Sequence, residues 1–148
     1  MIKITIPGEP RALQRHRTAV IKGRQKQYDP QAKQKVVTRN YMLAERMKQN
    51  WPYMLEQDAH ILTSDHADGF DLTINFYCYR PPILRMIPED EFFRYTHTRK
   101  PDLDNMIKYI LDCGNKILWH DDAEIYKITA SKCWSKTPRT EILCEFVS

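Results

Sequence analysis

The sequence predicts an α+β fold: one compact domain over residues 1–148, of order β-α-β-α-β-β, with a mixed sheet and helices packed on one face. Three observations predict it. Ile2, Ile4 and Ile6 alternate with polar residues, the period of a strand with one buried face. Residues 70–79 (FDLTINFYCY) are β-branched and aromatic, the best strand in the chain. Leu103, Met106, Ile107, Ile110 and Leu111 recur at helical spacing. A length of 148 residues fits a single domain large enough for a real core.

In chain order, Pro7-Gly8-Glu9-Pro10 closes the first strand. Residues 11–28 lack a clear period and hold Gly23, which suggests a basic loop or a loose hairpin. Asp29-Pro30 offers a helix start, aspartate as cap and proline in the first turn. Val36, Val37, Tyr41, Ala44 and Met47 then recur at helical spacing, and Trp51-Pro52 closes that element. Residues 53–69 carry no clear pattern beyond a turn at Asp65 to Gly69. Pro81-Pro82 stops the 70–79 strand, whose Phe70, Phe76, Tyr77 and Tyr79 read as packing residues more than stacking platforms. Residues 83–99, with Pro88-Glu89-Asp90-Glu91, read as an exposed loop. The second helix is expected from about Leu103 to Leu118, and two last strands near 124–134 and 140–147 around a turn at Lys136-Thr137-Pro138.

With 42% hydrophobic and 28% charged residues the chain reads as soluble and globular. No run approaches the ~18 apolar residues of a membrane span, and the alternating start is too short for a signal-peptide core. The four cysteines, Cys78, Cys113, Cys133 and Cys144, form no C-x-x-C pair. They suit buried thiols in a reducing compartment more than disulfides or a zinc site. A cytoplasmic protein is expected.

Net charge is +4, but its distribution is uneven. Residues 11–39 carry nine lysines and arginines against Asp29, whereas residues 101–126 carry six acids against Lys108 and Lys116. A basic segment followed by an acidic centre suits a polyanion-binding protein with a cation site, and it also suits a solvated basic face.

The acidic centre holds Asp102, Asp104, Asp112, Asp121 and Asp122, with Lys100 and Lys108 among them. Two residues apart on a regular helix, Asp102 and Asp104 would diverge by about 200°. They converge if Asp102 is the extended N-cap residue and Asp104 lies in the first turn. A cap followed by an i,i+4 ladder of Asp104, Lys108 and Asp112 accounts for Asp112. It leaves Asp121-Asp122 unexplained, because adjacent acids repel unless a cation is near. Hard carboxylate oxygens suit Mg²⁺, and a lysine nearby would offset charge developing on a phosphate during phosphodiester hydrolysis. No Ser-His-Asp or Cys-His arrangement competes. His120, beside Asp121, is read as a bystander.

The run Lys100-Pro101-Asp102-Leu103-Asp104-Asn105, with Lys108 and Asp112, resembles the signature of the RusA-like Holliday junction resolvases. So does its continuation, Trp119-His120-Asp121-Asp122-Ala123-Glu124-Ile125. The opening Ile4 to Pro10, then Arg15-His16-Arg17 and Tyr28-Asp29-Pro30, is similar to that family's first strand and basic loop. The resemblance implies a small homodimeric endonuclease, often of phage or prophage origin, that cuts four-way DNA junctions symmetrically with Mg²⁺ or Mn²⁺. It implies Asp102, Asp104 and Asp122 as metal ligands, Lys108 as the catalytic lysine, and Asp112 and Asp121 in support behind them. A twofold dimer suits two opposed cuts. DNA contacts are expected from phosphate-binding residues, chiefly Arg11, Arg15, Arg17, Lys22, Arg24 and Lys26, with Arg99 and Lys100 beside the motif.

Two other classes compete. One is a non-catalytic junction-binding protein that keeps the carboxylates as a structural cation site, which gives Lys108 no task. The other is a D-x-D transferase, which would need a Gly-rich phosphate loop that the chain lacks.

Overall fold

The computed structural model describes residues 1–14, 17–21, 24–49, 69–84 and 96–147, with the backbone alone for 17–21, 24–28, 83 and 146. Strands β1 (Ile2–Pro7), β4 (Gly69–Tyr79), β5 (Ile125–Ser135) and β6 (Arg139–Val147) form one sheet in the order β1-β6-β4-β5. Strands β2 (Arg17–Ile21) and β3 (Arg24–Tyr28) form a separate antiparallel hairpin, followed by α1 (Ala32–Lys48). Helix α2 (Leu103–Gly114) lies between β4 and β5. The expected order is therefore interrupted by a hairpin within residues 11–28, where alternation is weak because a two-stranded ribbon buries little on either face.

β4 is parallel to β5 and antiparallel to β6, so the sheet is mixed. Parallel neighbours need a long crossover, and α2 supplies it. The alternation of β4 explains its central place: Phe70, Leu72, Ile74, Phe76 and Cys78 are all buried. They share one core cluster with Ile2, Ile4, Ile142 and Cys144 of the sheet, Met42 of α1, and Met106, Tyr109, Ile110 and Cys113 of α2. The other face of the sheet is polar. There Lys127 pairs with Asp71 at 2.6 Å, Ser131 with Asn75 at 2.7 Å, and the Arg139 guanidinium lies 3.7 Å above the Tyr77 ring.

Helix α1 starts later than Asp29-Pro30 suggests. Gln31 is its cap residue, and Asp29 acts two positions earlier by accepting the Gln31 N–H at 2.9 Å. Of the residues that mark its apolar period, Val36, Val37, Ala44 and Met47 point outward and Tyr41 packs against the core, whereas Thr38, Met42 and Arg46 are buried. That inversion arises because α1 meets α2 through hydrogen bonds as well as packing. The Thr38 hydroxyl lies 3.2 Å from the Tyr109 hydroxyl, and Arg46 Nη1 donates to the Ile117 carbonyl. The Trp51-Pro52 stop, the 53–68 segment and residues 85–95 of the expected loop lie outside the described residues.

Helix α2 ends at Gly114, four residues before the expected Leu118. Trp119 causes this. Its buried ring packs so close to Gly114 that a Cβ there would stand 2.4 Å from Trp119 Cζ2. Lys116 takes a left-handed conformation (φ 64°) and its N–H donates to the Trp119 carbonyl at 2.8 Å, closing the turn. Cys78, Cys113 and Cys144 are buried free thiols, pushed up to about 12, 11 and 12 by burial first. Cys133 is free and half-buried. Among the described residues no helix is long and apolar enough to cross a membrane.

Candidate functional site

At the start of α2, Asp102 is the cap residue with an extended backbone (φ −71°, ψ 137°), and Leu103 onward is helical. This is the change of conformation that two aspartates two apart require in order to converge. The Asp102 carboxylate accepts no capping hydrogen bond from the helix. It pairs with Lys100 Nζ at 2.8 Å, while Asp104 pairs with Lys108 Nζ at 3.7 Å. Both carboxylates are about half exposed or more (47% and 69%), so solvent screens these pairs and holds them weakly. They remain free to exchange an ammonium partner for another cation.

Asp112 does not extend the ladder. It pairs with Lys35 of α1 at 3.3 Å, and Lys35 also holds Asp29 at 3.1 Å. Burial disfavours the Lys35 charge, but the hydrogen bonds to Asp29 and Asp112 outweigh it and raise its pKa. Arg39 Nη1 donates to the carbonyls of Asp112, Cys113 and Asn115 at 3.2, 3.1 and 2.9 Å, closing the last turn of α2. Two of the nine cations in the basic 11–39 segment therefore act inside the protein.

Beyond that turn, Asp121 caps a 3₁₀ turn (Asp122–Glu124) by accepting the Ala123 N–H at 2.9 Å. That bond, followed by one shared with Asp122, lowers the Asp121 pKa below its ordinary value. Asp122 is exposed and carries no capping bond. His120 leans on Glu124, with Nδ1 4.0 Å from Oε1 and its backbone N–H donating to Oε2 at 3.2 Å, and it adds only a small share to the lowering of the Asp121 pKa.

The two acidic groups lie at opposite ends of α2. Twelve residues at 1.5 Å each make that helix about 18 Å long. Accordingly, among the described residues no three His, Cys, Asp or Glu side chains form a group ready to hold a metal ion. The donor chemistry suits a hard divalent cation, but one chain gathers two carboxylates at one end of α2 and two at the other.

Next to Asp102 runs a groove of about 530 Å³, lined by Arg11, Gln14, Gln31, Gln34, Lys100 and Asn105 among others. Its wall is the 10–14 segment, pinned by the Leu13 N–H to the Asn105 carbonyl at 2.8 Å and by Gln31 to Ala12 and Gln14. Arg11 and Lys100 are exposed on its rim, and Arg99 is exposed beside it. Arg15 and Lys22 lie outside the described residues. Arg17, Arg24 and Lys26 stand on the hairpin, where the backbone alone is described.

Sequence reasoning missed Lys132, whose ammonium reaches the carbonyls of Arg99 and Pro101 just before the helix. It also missed Arg39 and Arg46 at the far end. Only their phase hints at them, and only once the fold is known: Lys132 falls in the phase of Ile128, Ala130 and Trp134, and Arg46 in that of Thr38 and Met42. A cation on the apolar phase of a strand or helix marks a buried task.

The chain is similar in sequence to known proteins. A stretch of 51 residues is 37% identical to the uncharacterized protein YqaN of Bacillus subtilis (strain 168). That match spans 34% of this chain and 36% of the relative, so it covers about a third of either. The family described as endodeoxyribonuclease RusA matches residues 7–145, nearly the whole sequence. The chain belongs to the RusA endodeoxyribonuclease family.

Proposed function

We propose that the protein is a divalent-cation-dependent endodeoxyribonuclease that resolves branched DNA, chiefly four-way junctions, as a homodimer. The observation that carries this reading is the exposed Asp102, Asp104 and Lys108 group at the edge of a groove rimmed by Arg11 and Lys100, in a chain of this family. Asp102 and Asp104 hold Mg²⁺, or Mn²⁺ in its place, through hard carboxylate oxygens. When bound, the cation supplies Lewis-acid stabilisation of the scissile phosphate. Lys108 keeps an ammonium beside the reacting phosphate and offsets its growing negative charge. Arg11, Arg99 and Lys100 hold flanking phosphates, which a junction offers by shape and not by base sequence.

The length of α2 gives the dimer a chemical task. The span of α2 separates Asp122 from Asp102 and Asp104 along one chain, which supports a reading in which Asp122 of the partner subunit completes the ligand set. Two such sites related by a twofold axis match the two opposed cuts of symmetric resolution.

The test is cleavage of a labelled synthetic four-way junction in Mg²⁺, beside linear duplex and splayed-arm controls, with Asp104→Asn in parallel. The wild type is expected to make paired symmetric cuts. The variant is expected to lose at least ~10²-fold in rate while retaining junction binding in a gel shift. Binding without cutting by either protein, in both metals, would leave a non-catalytic junction binder.

A further inference from the structure

Lys132 stands on the edge strand β5 with its side chain on the helix face, opposite the fully buried Phe76 of β4. A lysine there needs acceptors, and among the described residues it pairs with no carboxylate. Its ammonium instead donates to the Arg99 carbonyl at 2.6 Å and to the Pro101 carbonyl at 2.6 Å. Its own carbonyl accepts the His97 N–H at 3.1 Å. Thr96 bridges to Cys133, and the His97 ring stacks on Trp134 with centroids 3.7 Å apart and planes 17° from parallel. The His97 Nδ1 in turn accepts the Arg99 N–H at 3.2 Å. Residues 96–101 are thus fastened along β5, and the last fastening lies one residue before Asp102.

We propose that Lys132 is a positioning residue for the reaction: its ammonium fixes the segment leading into α2 and so sets the Asp102 carboxylate relative to that of Asp104. The extended backbone at Asp102 is what allows the two carboxylates to serve one cation, and the weak pair with Lys100 does not enforce it. Lys132 acts from the preceding residue, where the Pro101 carbonyl has no helical donor to satisfy it. The ammonium touches neither carboxylate in the structure, so its effect passes through the main chain. This inference rests on the endonuclease reading for its kinetic consequence and on the fold alone for its structural one.

The experiment compares wild type, Lys132→Met and Lys132→Arg. The rate of single-turnover junction cutting is measured as a function of Mn²⁺ concentration, with metal-free junction binding, thermal midpoint and amide exchange at residues 103–105 alongside. For Lys132→Met, half-maximal cutting should need at least ten times more Mn²⁺, and the 103–105 amides should exchange faster. Metal-free binding should fall much less than cutting does at limiting Mn²⁺, and the thermal midpoint should fall only by an amount that Lys132→Arg restores. Lys132→Arg, which can still donate to both carbonyls, should recover both readouts. A wild-type Mn²⁺ response in Lys132→Met would overturn the proposal, as would an arginine variant no better than methionine. If the wild type cuts no junction in any metal, the endonuclease reading fails by itself. The proposal is then decided by exchange at 103–105, which must rise in Lys132→Met and return in Lys132→Arg.

Discussion

The two ends of α2 carry the same kind of side chain under opposite regimes. At the start, Asp102 and Asp104 have carboxylates that no backbone group among the described residues engages, paired with exposed lysines, while the main chain beneath them is fastened by Lys132. At the far end, Asp112 and Asp121 are committed, the first to Lys35 and the second to the Ala123 N–H, and the exposed Asp122 is tied only through the bond it shares with Asp121. Around that end, Arg39 and Arg46 donate to four main-chain carbonyls. The contrast teaches that an acidic cluster in a sequence need not be one site. Some of its members hold the chain in place so that others can stay uncommitted.

The sharpest way to break this comparison is to mix subunits. Asp104→Asn and Asp122→Asn homodimers should each fail to cut. On mixing and re-equilibration, half the dimers become hybrids, each with one site keeping its full ligand set. About a quarter of the wild-type number of sites should return, read as single nicks in a junction. A mixture as inactive as either parent would put all the ligands within one chain.

A smaller effect is expected at the far end. Arg39→Ala leaves three carbonyls without their donor and should cost about 2 kcal/mol, a fall of about 4–8 °C in thermal midpoint. A midpoint within experimental error of wild type would mean that α2 closes without its clamp.

The mildest test is pH. Burial, with the charges of Lys132 and Arg99, holds the His97 pKa below its ordinary 6.5. Because the unfolded chain takes up this proton first, the stabilisation is complete above about pH 6.5. It declines as pH falls from there toward the depressed folded value, and below that value His97 adds no further change. Between pH 7 and 5, His97→Phe should flatten the dependence of stability on pH relative to wild type. Equal slopes in urea titrations of the two proteins would remove His97 from the account.

Much of the architecture was legible from periodicity. The alternation at Ile2, Ile4 and Ile6 and the run from Phe70 to Tyr79 mark strands because burial on a sheet has period two. Met106 and Ile110 mark the buried face of α2 in the same way. The orientation of α1 was not legible. Its apolar residues mark the helical period, yet its buried face is built from Met42 with Thr38 and Arg46, two polar residues whose partners lie 71 residues away. The aspartates proposed as ligands could be named from their motif, but the length of helix that separates them could not. Spacing along the chain gives no distance until it is known that residues 103–114 are helical and that the chain passes the Trp119 turn before reaching Asp121. Lys132 was hidden because its partners are carbonyl oxygens, which every residue possesses and no motif records.

The rigid span of α2 has a consequence for when the enzyme would be active. If completing the ligand set takes a second subunit, activity at low abundance grows with the square of the number of chains. Specific activity should then collapse on dilution below the dimer dissociation constant, even with metal in excess. A cell holding a few copies would carry a silent nuclease, and one making many would cross a threshold.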